Sequence, residues 1–192
     1  MKEMGIEIHL NTEIKDIKDV KEKEIVVATG SKARRLRCPG SEKAIEAIDY
    51  LSGAKVGETV AVIGGGLTGA EIAYELYLDG KKPIIVEMQD DIIKQKGVCM
   101  ANSTYLRDFF KLHEVPIYLE SGLTKIGDGT ITIKDKAGKE TEVKADSVIT
   151  SIGYKPTPLF KKSSHVHLVG DCLAVGNLRT VIWRAYDVAM KI

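Results

Sequence analysis

The order of apolar and polar positions divides the chain into short strands and amphipathic helices. "IEIHL" (Ile6–Leu10) alternates with a period of two and predicts a half-buried strand. Residues 15–24, "KDIKDVKEKE", interleave both charge signs and predict a solvated turn or hairpin. "IVVA" (Ile25–Ala28) is a continuous apolar run stopped by Thr29-Gly30, the pattern of a strand buried on both faces. In "EKAIEAIDYL", Ile45, Ile48 and Leu51 fall on one helical stripe, and Ser52-Gly53 then breaks the pattern at a candidate domain crossing.

From Val60 the periods read strand, helix, strand. "VAVIG" comes first, then a helix from Leu67 to about Asp79 with Gly80 in the C-cap glycine position, then "IIVE" (Ile84–Glu87). A second helix follows Asn102 or Ser103, with Leu106, Phe109, Phe110 and His113 at helical spacing. "VPIYL" (Val115–Leu119) predicts another strand. "TITIKDKAGKETEV" predicts a hairpin around Ala137-Gly138. "SVITSIG" (Ser147–Gly153) is a second buried-strand run. Leu178–Ile192 predicts an amphipathic helix burying Val181, Ile182, Ala185, Val188, Ala189 and Ile192. Strands alternating with helices predict an α/β fold around a parallel sheet.

Composition narrows the partners. Lys plus Arg number 28 against 27 Asp plus Glu in 192 residues, so no basic face points to nucleic acid. No apolar run approaches the ~18 residues of a membrane helix, and "MKEMGIEIHL" lacks the apolar core of an export signal. A cytoplasmic, membrane-free protein is expected. Cys38, Cys99 and Cys172 lie far apart with no CxxC, and are expected as packing side chains rather than a disulfide framework. His9, His113, His165 and His167 show no metal-ligand spacing. The last two share one side of a probable strand, and no metal site is predicted.

The chemistry is carried by "VAVIGGGLTGAE" (Val60–Glu71). Gly64-x-Gly66-x-x-Gly69 fits the dinucleotide fingerprint: the first glycine makes the tight turn, the second admits the pyrophosphate, and the third packs helix on strand. The helix beginning at Leu67-Thr68 offers its N-terminus and positive dipole end to the phosphates. Glu87 follows Gly64 by 23 positions, near the spacing of about 20 at which an acid accepts the adenosine ribose hydroxyls. An NADP site supplies arginine after this strand. Here Met88, Gln89, Asp90 and Asp91 follow, with no cation before Lys94, so NAD(H) is the expected cofactor. Asp90 and Asp91 are expected as solvated loop acids.

Two flanking motifs give the turn its setting. "ATGS" ends the strand before it, and "HLVGDC" (His167–Cys172) follows it. In this order the chain resembles the two-dinucleotide flavoprotein oxidoreductases, in which an NAD(P)H domain is inserted into an FAD domain. "LRCPGSEKAIEAIDYL", "VEMQDDI", "IGYKPTPL" and "GDCLAVGNLRTVIWRAYDVAMKI" are similar to the C-terminal part of NADH:flavin oxidoreductases of the 2-enoate reductase and 2,4-dienoyl-CoA reductase type.

The resemblance implies a Rossmann-like NAD-binding lobe, 56–154, inserted into remnants of an FAD-binding lobe at 1–55 and 155–192. It implies that the Ile25–Gly30 and Val166–Gly170 strands are parallel neighbours. It places Glu71 and Gly153 beside the nicotinamide, and Thr29, Gly30, Gly170, Asp171 and Asn177 with FAD. It further implies a barrel carrying FMN and an iron–sulfur cluster elsewhere in a parent enzyme, with electrons passing from NADH through FAD to an activated C=C bond. No catalytic residue is assigned. An FAD domain of this kind begins with its own glycine turn, so the chain is expected to be a fragment that retains NADH but not FAD. Its partners are then NADH and the rest of the parent, and its uncovered apolar face favours homo-oligomers. Two other readings stay open: a fragment of an NADH oxidase or disulfide reductase, and a free-standing NADH-binding module with Met1 as its start.

Overall fold

The computed structural model describes residues 2–94 and 97–192, so Met1, the start assumed by the free-standing reading, lies outside the described residues. In chain order the strands are β1 (Ile25–Val27), β2 (Ser31–Ala33), β3 (Ile45–Glu46), β4 (Thr59–Ile63), β5 (Lys82–Val86), β6 (Ile117–Tyr118), β7 (Ser121–Ile126), β8 (Thr130–Asp135), β9 (Glu140–Lys144), β10 (Ser147–Thr150), β11 (Tyr154–Pro156) and β12 (Val166–Leu168). The helices are α1 (Ala47–Leu51), α2 (Leu67–Leu78), α3 (Met100–Leu112) and α4 (Leu178–Ala189). The chain forms two compact units, Ala33–Gly153 and the pair of flanking segments Met1–Lys32 with Tyr154–Ile192.

The Ala33–Gly153 unit is an α/β domain. Its five parallel strands run in the order β3-β10-β4-β5-β6. Side chains alternate across the sheet: Val60 and Val62 join Ile85, Ile149 and the apolar sides of α2 and α3. Ala61 and Ile63 point the other way, into Ile126, Ile131 and Ile133 of the antiparallel sheet β7-β8-β9. Covering both faces is what near-continuous apolar strands require. Burying each large side chain contributes about 1.5–3 kcal/mol. α2 lays Ala70, Ile72, Ala73 and Leu76 on the sheet and ends where Gly80 turns left-handed at φ 74°. There the Lys81 N–H reaches the Leu76 carbonyl at 2.9 Å.

Two expectations change in this unit. "EKAIEAIDYL" is not one helix, because Ile45 and Glu46 pair with β10, separating a 3-10 turn at Ser41–Lys43 from the α-helical Ala47–Leu51. Ala47 is buried, while Ile48 and Leu51 are exposed. The edge pairing competes for the backbone that the helical stripe needed. α3 begins at Met100, ahead of Asn102, and β7 adds a third strand to the expected hairpin.

The flanking unit contains the parallel pair β1-β12, with Ile25 opposite Val166, and the pair β2-β11. Val27, Val166 and Cys172 form its buried cluster. Val26 is exposed, so β1 is not buried on both faces as expected: among the described residues β12 is its one strand partner, and none covers the second face. Residues 6–10 form no strand, and Ile6, Ile8 and Leu10 are exposed, because among the described residues none pairs with them. α4 keeps only part of its expected apolar face. Val181 and Val188 are half-buried, whereas Ile182, Ala185, Ala189 and Ile192 are exposed. No helix among the described residues is long and apolar enough to cross a membrane.

Candidate nucleotide-binding site

The glycine turn joins β4 to α2, and close approach dictates its residues. Gly64 sits at φ 103° and donates its N–H to the Val86 carbonyl at 2.8 Å. A Cβ at Gly64 would stand 2.3 Å from the Ser151 carbonyl oxygen, and one at Gly69 would stand 1.9 Å from the Gly64 carbonyl oxygen. Neither position admits a side chain without a backbone shift. Gly66 is the extended N-cap of α2, and its carbonyl receives the Ala70 N–H at 2.9 Å. Leu67, partly buried, and Thr68, exposed, follow as the first helical residues, where the dipole favours an anion.

Glu87 follows β5 directly and is only 8% exposed. Its Oε2 accepts the Gly65 N–H at 2.6 Å and its Oε1 accepts the Gln89 N–H at 2.8 Å. A carboxylate has about four acceptor sites, so two backbone donors fix this one and leave capacity for a vicinal diol. The same fixed acceptor would oppose a 2′-phosphate. Gly65 itself was absent from the sequence-based set. A Cβ there would meet Ile92 Cγ2 at 2.9 Å and Glu87 Cβ at 3.1 Å, and its carbonyl accepts the Ile93 N–H at 2.7 Å. The signal was visible as three consecutive glycines where the fingerprint names two.

Beyond Glu87 the two aspartates part company. Asp90 pairs with Lys94, whose hydrogen bond holds the Asp90 carboxyl below its ordinary range. Asp91 is not a free loop acid: Arg107 of α3 grips it at 3.0 Å. Glu71 is exposed on α2, one residue beyond its first turn. Gly153 is exposed at φ 82°, and its carbonyl accepts the Arg34 N–H at 2.9 Å. Ser151, two residues earlier, lies against Gly64 and Gly69.

The residues assigned to FAD lie in the flanking unit. Thr29 Oγ1 donates to the Thr157 carbonyl at 2.9 Å, and Gly30 turns at φ 73° with its carbonyl accepting the Thr157 N–H. Asp171 accepts from Ser31 Oγ at 3.2 Å and from the Gly176 N–H at 3.1 Å. Gly170 turns at φ 63°, beside Val181. Asn177 caps α4, accepting the Thr180 N–H at 3.1 Å while Thr180 Oγ1 accepts the Asn177 N–H at 2.9 Å. His165 and His167 both turn to Glu24, at 3.3 and 2.7 Å. Among the described residues no group of three or more His, Cys, Asp or Glu side chains stands where it could hold a metal ion.

Comparison with known proteins places this geometry. The pyridine nucleotide-disulphide oxidoreductase family matches over residues 8–182. Across its full length the chain is 37% identical to a cinnamate reductase of Clostridium sporogenes and covers 30% of that protein. It is 32% identical to an NADH oxidase of Thermoanaerobacter brockii, over 88% of the chain and 28% of the relative. A solved complex of 2-naphthoyl-CoA reductase with 2-naphthoyl-CoA superposes with a TM-score of 0.81 at 26% identity, covering the whole chain and 30% of that structure. The chain therefore spans less than a third of the length of each.

Proposed function

The chain belongs to the pyridine nucleotide-disulphide oxidoreductase family, and from that premise we propose that it is the NADH-binding portion of a flavin-dependent reductase. Its relatives are oxidoreductases. The observation that carries the reading is Glu87, a buried carboxylate tied to the glycine turn at the end of the second strand of a strand–helix–strand unit. The cradle fits a dinucleotide: Gly64, Gly65 and Gly69 exclude any side chain, and Gly66 to Thr68 open α2 toward a pyrophosphate.

NADH would supply the hydride. The work of these residues is to bind and orient it: Glu87 takes the ribose hydroxyls, the α2 N-terminus takes the pyrophosphate, and Glu71 and Gly153 flank the nicotinamide end. Thr29, Gly30, Gly170, Asp171 and Asn177 would meet FAD in the complete enzyme. FMN and an iron–sulfur cluster would lie outside this portion. Reduction of an activated C=C bond is supported by the likeness to the cinnamate reductase. The Thermoanaerobacter relative favours a second reading, an NADH oxidase module, and oxygen rather than an enoate as the acceptor used by the complete protein would select it. A cytoplasmic location is consistent with either.

Calorimetric titration of the chain with NADH and NADPH tests the proposal. NADH is expected to bind and NADPH to bind at least about tenfold more weakly, with Glu87→Arg abolishing that preference. Equal binding of the two nucleotides by the wild type would refute the role of Glu87. The same preparation is expected to show no stoichiometric flavin absorbance, and a flavin band would overturn the assignment of FAD retention to the complete enzyme.

A further inference from the structure

The corner after Glu87 contains an anomaly that the fingerprint does not explain. Ile93 is a β-branched residue in the left-handed region, at φ 51°, and it is buried. Such a residue avoids this conformation unless its surroundings enforce it. Its N–H is committed to the Gly65 carbonyl at 2.7 Å, so the strained corner and the glycine turn are joined directly. Ile92 lies close against Gly65, where a Cβ would meet its Cγ2 at 2.9 Å.

Arg107 supplies the enforcing contacts. Its Nη2 donates to the Ile92 carbonyl at 2.6 Å and to the Ile93 carbonyl at 3.4 Å. Its Nε reaches both oxygens of Asp91, at 3.3 and 3.1 Å. Asp91 in turn accepts the Ile92 N–H at 2.8 Å. One planar fork thus holds three consecutive residues, which a lysine ammonium could not do in the same geometry. Asp91, Ile92 and Arg107 also border an open groove.

We infer that Arg107 is a positioning residue for the dinucleotide: it holds Ile93 in its strained conformation so that Gly65 and Glu87 present a fixed turn and a fixed carboxylate. The inference rests on the NADH-binding reading above and adds a residue twenty positions beyond Glu87, outside the fingerprint. The Nε and Nη2 donors of Arg107 are directed to the corner.

The test separates strain from mere stability. Ile93→Ala removes the side chain but keeps the left-handed penalty, whereas Ile93→Gly removes both. Arg107→Met is expected to weaken NADH binding about tenfold in the Ile93→Ala background and less than about threefold in the Ile93→Gly background. Equal losses in the two backgrounds would overturn the inference, since a residue that only stabilises the fold is indifferent to that change. Hydrogen exchange at the Ile93 amide, without nucleotide, supplies a readout independent of binding. Arg107→Met is expected to accelerate it at least about tenfold relative to Val86, and unchanged protection would refute the clamp. If the wild type bound no NADH, the functional reading would fall while the exchange measurement still decided the clamp.

Discussion

In the Ala33–Gly153 unit, five parallel strands lie between helices and an antiparallel sheet, and Val60, Ala61, Val62, Ile85 and Ile149 have no exposed surface. In the flanking unit, among the described residues, β1 and β12 pair with each other alone, three residues form the buried cluster, and α4 buries none. Both use parallel strands, but a parallel pair is stable only when its faces are covered. The contrast explains where exacting chemistry can reside. A buried carboxylate and a strained isoleucine persist only inside packing that over-determines them, and Glu87 and Ile93 have that support. The residues assigned to FAD are held by loop hydrogen bonds, many of them exposed.

The largest expected effect probes this difference directly. Ile149→Ala should cost about 2–5 kcal/mol of unfolding free energy, as cavity formation in a closed core does. Val27→Ala should cost less, about 1 kcal/mol, because it removes fewer carbons and its small cluster can collapse around the gap. Urea titration followed by circular dichroism measures both, and similar losses would break the comparison. Next in size is the effect on binding. Gly69→Ala forces a Cβ toward the Gly64 carbonyl, an overpacking cost of about 1–3 kcal/mol that should weaken NADH by roughly 5- to 150-fold. Gly30→Ala meets no atom within 4 Å and should leave NADH affinity unchanged, even though its φ of 73° is strained for alanine. Calorimetry on the two variants sharpens the division between the units.

The same contrast governs what could be read from the residues alone. β4, α2, β5 and β10 were legible because their periods are imposed by a core that covers both faces. Local pattern and tertiary burial agree there. Ile6–Leu10 and the outer half of α4 have equally regular patterns, yet nothing among the described residues covers them, so amphipathicity predicted burial that is absent. The glycine turn and Glu87 were visible through their spacing, since each glycine answers a local steric demand. Ile93 and Arg107 were not: their roles depend on a contact between the turn, the corner after β5 and a helix that begins further along the chain. No local period encodes a left-handed isoleucine.

The smallest expected effect is a pH dependence confined to the flanking unit. Glu24 stands just before β1 and accepts hydrogen bonds from His167 on β12 and from His165 beside it. Those bonds, that of His167 foremost, hold the Glu24 carboxyl below its ordinary value of 4.5. A carboxylate whose folded-state pKa is depressed contributes stability above the unfolded value and loses it as pH falls through the folded one. Protection of the β1 and β12 amides should therefore decline as pH falls below the ordinary carboxylate range, after correction for intrinsic exchange. Glu24→Gln should lower that protection at neutral pH and flatten its acid dependence, because a neutral amide keeps the shape but not the charge. The β4 and β5 amides should show no response to the substitution. A matching change there would mean that the two units unfold as one, and the contrast in burial would not separate their stabilities.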